Sequence, residues 1–216
     1  MVRAADVLTA LSQRDPGQLP RYRSERSGTV FARLTDPRNL RQFHEPALPV
    51  EARLGQTLVY APAAGRVFKV YVAAFLKGAA SDADMVELVG AQLRAAAVEL
   101  ALVDEFLPTI PADDPRREVR LDSARQVKEG MATVVAGALQ TLTEREAYRS
   151  TERARLAGYL EDTLPDILPG LPATARSEAV VRLEGMTADP GLRDIQPEIS
   201  RLLGVVRNTS GRAAGP

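Results

Sequence analysis

At 216 residues the chain can hold one large core, or one domain with a small appendage. Apolar residues at 45 % and charged residues at 26 % exclude disorder throughout, and 28 basic against 28 acidic side chains exclude a global field that would draw it to nucleic acid or an anionic membrane. The absence of cysteine excludes disulfides, thiolate metal centres and a cysteine nucleophile.

Arginine outnumbers lysine 25 to 3, and alanine and proline are common, the composition of a GC-rich bacterial gene. The opening MVRAADVLTALSQRD is a short periodic apolar stretch interrupted by Asp6. It has neither the unbroken apolar run nor the small-residue cleavage site of a secretory signal, so the reading is a cytoplasmic protein. Residues 13–49 mix proline, glycine, serine and arginine, and predict an irregular arm with one short helix near 36–43.

Asp-Pro occurs four times, at Asp15, Asp36, Asp114 and Asp189. Aspartate accepts from free N–H groups of a first helical turn, and the following proline has no N–H to leave unpaired. TDPRNLRQF, DDPRREVRL and ADPGLRDI therefore read as helix starts.

From Val50, VEARLGQTLVY predicts a short helix. After APAAG, RVFKVYVAAFLKG places Val67, Val70, Tyr71, Ala74 and Phe75 on one helical face, although its Val, Phe and Tyr also suit a strand. VELVGAQLRAAAVELALVDEFL gives the strongest periodicity. Val86, Val89, Leu93, Ala96, Leu100, Val103, Leu107 and Ile110 alternate at spacings of three and four, and Leu88, Ala95 and Leu102 widen the face. That breadth suits a central buried helix with several neighbours.

A further helix carries Ala124, Val127, Met131, Val134, Ala138 and Leu142. Thr143 and Glu146 have capping-box spacing, so the charged stretch 143–155 either opens a new helix or continues the previous one. The prolines of LPDILPGLP (164–172) predict a break and an internal boundary, followed by two more helices. The expectation is all-α: a single irregular bundle of seven or eight helices with a long central buried helix and an irregular N-terminal arm. Its parts are an N-terminal helix and Arg/Pro-rich arm over 1–49, the main bundle over 50–164, a C-terminal helix pair over 165–207 and a disordered tail over 208–216.

A membrane span is not expected. Val86–Leu107 carries Glu87, Arg94, Glu99, Asp104 and Glu105, and the stretch near residues 58–76 contains Pro62, Arg66 and Lys69; each central charge costs on the order of 3 kcal/mol in lipid.

Chemistry is sparse. His44 is the one histidine and has no second histidine to share a metal. Asp82, Asp84 and Glu87, like Asp189, Asp194 and Glu198, read as helix capping in preference to cation sites. The adjacent pairs Asp113–Asp114 and Glu161–Asp162 read as solvated faces, since sequence neighbours rarely face each other across a substrate, and no phosphate loop, nucleophile elbow or Glu-x-x-His pair occurs. The candidate contacts for a partner or an anion are Arg21, Tyr22, Arg23 and Arg26 in RYRSER, with Arg149, Glu152 and Arg153 as a polar rim. An apolar pocket would be lined by Phe68, Tyr71, Phe75, Ala96 and Met131.

These features lead to three expectations: a non-enzymatic helical protein–protein interaction module acting through a partner or self-association; a helical binder of a small apolar ligand; and, least supported, a carboxylate/Mg²⁺ all-α enzyme. No catalytic residue, metal or cofactor is assigned, and nucleic acid is not an expected partner.

Overall fold

All four Asp-Pro pairs perform the same local task. In a computed structural model, which describes residues 1–212, the N–H two residues on donates to the aspartate Oδ1: Gly17 to Asp15 at 2.9 Å, Arg38 to Asp36 at 2.9 Å, Arg116 to Asp114 at 2.7 Å and Gly191 to Asp189 at 2.7 Å. Three of these turns open 3-10 helices, Pro16–Gln18, Pro37–His44 and Pro190–Ile195. The fourth leads into an α-helix that starts at Arg117. The Arg38 side chain also bonds Asp36 and holds its carboxyl below the usual range.

The fold is all-α. Among the described residues there are eight α-helices: α1 Val2–Arg14, α2 Gly28–Thr35, α3 Val50–Leu76, α4 Asp82–Phe106, α5 Arg117–Thr141, α6 Ser150–Ile167, α7 Ala173–Ala188 and α8 Gln196–Arg212. Contacts divide the chain into two compact units, Met1–Ala95 and Ala96–Pro216, so the division falls inside α4. Along the chain it precedes the proline-rich segment 164–172.

Several local expectations are corrected. Val50–Leu76 is one helix, running through APAAG with Pro62 inside it. Pro62 is exposed, and so is Leu58 four residues earlier, so the carbonyl that loses its partner faces water. The segment 66–77 is helix up to Leu76. The stretch 143–155 neither continues α5 nor starts a helix at Thr143. A run of turns separates α5 from α6, which begins at Ser150. The helix also passes through Pro165 to Ile167, and α8 extends to Arg212 where a tail was expected from residue 208. Residues 213–216 lie outside the described residues. The segment read as an irregular arm contains α2, which the sequence reading lacked, and it buries Leu19, Phe31, Leu40 and Phe43.

In the first unit α1 packs against α3, and α3 against the 3-10 helix Pro37–His44. One carboxylate ties the arm to α4. Ser81 and Asp84 form a reciprocal capping box: the Asp84 N–H donates to Ser81 Oγ at 3.2 Å and the Ser81 N–H donates to Asp84 Oδ2 at 2.7 Å. Fully buried Asp84 also accepts from the Tyr22 N–H at 2.6 Å and from Arg21 Nε at 2.7 Å. Behind this knot the Tyr71 hydroxyl donates to the Pro20 carbonyl at 2.7 Å, and Phe31 stands edge-on to Tyr71 with ring centres 5.6 Å apart. Burial, and then the Asp84 charge, push the Tyr71 phenol far above its ordinary value.

The second unit packs α8 against α6 and α7, and α5 against α7. Leu156, Leu160, Leu164 and Ile167 of α6 and Ile199, Leu202 and Val206 of α8 are fully buried. Gly170 sits where a Cβ would lie 3.2 Å from Leu100 Cβ and from Asp104 Oδ2, so glycine lets this turn lie close on α4.

The predicted α4 seam is buried from Val86 to Val103, while Leu107 and Ile110, beyond the end of α4, are half-buried. Asp84→Ala should cost about 3–5 kcal/mol by urea denaturation, because it leaves a cation and two backbone donors without their acceptor. Asp189→Ala, which removes a single turn bond, should cost about 1 kcal/mol.

Candidate interaction surface

Helix α3 has two sharply different sides. Thr57, Ala63, Val67, Tyr71 and Ala74 are buried. On the other side Ala52, Gly55, Val59, Pro62, Arg66, Lys69, Ala73 and Leu76 are all exposed, at spacings of 3, 4, 3, 4, 3, 4 and 3. That rhythm keeps them in one stripe along the helix. Leu58 borders it at 52 % exposure, Val59 reaches 60 % and Leu76 80 %.

Only two charges interrupt the stripe. Arg66 pairs with Asp6 of α1 at 2.8 Å, and Lys69 has no ion-pair partner among the described residues. By length and composition α3 could cross a membrane, and only 22 % of its most apolar 18-residue window is buried. Arg66, Lys69 and Pro62 lie within α3.

An open groove of about 420 Å³ adjoins the first half of the stripe, lined by Val2, Phe43, Ala52, Gly55, Val59, Tyr60 and their neighbours. Phe43 and Tyr60 meet edge-to-face with ring centres 5.4 Å apart. Burial pushes the Tyr60 phenol upward, against an opposing pull from Arg94.

The residues singled out in the sequence are placed differently. Arg21 and Tyr22 are held by Asp84, and Arg21 also donates to the Ala79 carbonyl. Arg23 is exposed, adopts φ 58°, and stacks its guanidinium 4.8 Å from the Tyr22 ring centre; Arg26 is exposed. In the second unit Arg149 is exposed and lies 3.8 Å from Glu152, which is buried and paired with Arg155 at 2.7 Å. Arg153, expected on a polar rim, is instead buried. It donates to the Tyr148 carbonyl at 3.2 Å and the Leu142 carbonyl at 3.3 Å, and pairs with Asp194. The turns before α6 need those donors, which is why the arginine points inward.

The five pocket candidates divide between the two units, with Phe68, Tyr71 and Phe75 in the first and Ala96 and Met131 in the second. Tyr71 and Ala96 are buried in separate units, while Phe75 and Met131 are half-buried. Phe68 lines a cleft with Leu34, Val67, Leu88 and Ala91 whose volume is about 20 Å³. That is room for about one water, against the roughly 300 Å³ of a small-molecule site. A groove between α5 and α7 holds about 170 Å³.

Asp82 and Asp84 serve the start of α4, Glu87 is buried one turn further on, and among the described residues no group of three or more His, Asp or Glu is placed to hold a metal ion. Glu99 is the unexpected acid. It is buried in α4 with no hydrogen-bond or ion-pair partner among the described residues, and burial pushes its carboxyl up to about 7. It lines none of the grooves described above.

No protein-family model, curated protein or solved structure matches this chain.

The exposed α3 stripe was legible in the sequence, since its positions follow from the buried ones by helical geometry. It was missed because 50–60 and 66–77 were read as two helices, which split the stripe.

Because the native state holds the Glu99 proton more tightly than the unfolded chain, this group lowers stability as pH rises from about 4.5 to about 7, by up to about 3 kcal/mol. Glu99→Gln should therefore be more stable than the parent at pH 8 and indistinguishable from it near pH 4, as measured by thermal or urea unfolding.

Proposed function

We propose that this chain is a non-enzymatic helical interaction module that engages protein through the exposed face of α3. The observation that carries this reading is the stripe from Ala52 to Leu76, together with Leu58: large apolar side chains at 52–80 % exposure along one helix. Contiguous apolar surface on a folded protein marks a place where something docks. A helix face read at i, i+3, i+4 and i+7 is a common form of such a contact. The cancelling net charge supports recognition by shape and apolar contact over long-range electrostatic steering.

A second reading, binding of a small apolar ligand, draws on the 420 Å³ groove beside Val59 and Tyr60. Its open, shallow form suits a partner's side chain better than an enclosed ligand. The carboxylate/Mg²⁺ reading finds no support at Asp84, whose oxygens accept from Ser81, Tyr22 and Arg21.

Val59→Glu tests the proposal. The site is exposed, so unfolding stability should change by no more than about 0.5 kcal/mol. Wild-type protein should retain a partner or self-associate in native lysate pull-downs and size-exclusion chromatography, and the variant should lose that association. A wild-type protein that stays monomeric and retains nothing would overturn the reading.

A further inference from the structure

We draw no further inference here: the strongest candidate, the exposed apolar face of α3 with the open groove beside Val59 and Tyr60, belongs to the surface already described, and nothing in the structure shows what covers it.

Discussion

A 25-residue helix that is apolar around most of its circumference cannot be left in water, and the cover for α4 shapes the rest of the molecule. Val86, Leu93 and Leu100 are fully buried, and Met85, Val89, Ala96, Leu102 and Val103 nearly so. Residues of α4 up to Ala95 belong to the first unit and those from Ala96 to the second. Small side chains along the helix, such as Gly90 and Ala96, are buried with the large ones, which lets neighbouring backbone approach closely. At Gly170 that closeness is visible in the 3.2 Å distance from a would-be Cβ to Leu100.

Burial on this scale forces polar groups inside, and the protein handles most of them by saturation. Asp84 collects donors from Ser81, Tyr22 and Arg21, turning a helix cap into a fastening for the preceding arm. Arg153 performs the converse task, offering its donors to two carbonyls and a carboxylate around the start of α6. Both groups resemble functional charges when read from sequence, yet their hydrogen-bonding capacity is spent on holding loops. Glu99 departs from the pattern: buried without a partner, it keeps its proton near neutral pH.

Against this saturated interior, α3 stands out as a long helix whose outer side remains apolar and uncovered. The usual arrangement, apolar toward the core and charged toward water, holds for its inner residues and fails for its outer ones. Pro62 belongs to that outer side, where a missing N–H costs least because water satisfies the freed carbonyl. The function proposed for the chain follows from this asymmetry.

The sequence alone determined the elements whose causes are local. Helical periodicity marked α4 and its buried seam and, recurring along the chain, indicated an all-α fold, while Asp-Pro chemistry marked the capped turns. It misjudged Pro62 and Pro165, because whether a proline breaks a helix depends on what its freed carbonyl faces, and that is set by packing. It also read RYRSER and 143–155 as exposed charge. Only the tertiary structure decided that Arg21 meets Asp84 across 63 residues and that Arg153 meets Asp194 across 41. Such pairings are chosen by which helices touch, since spacing along a chain carries no record of contacts made through space.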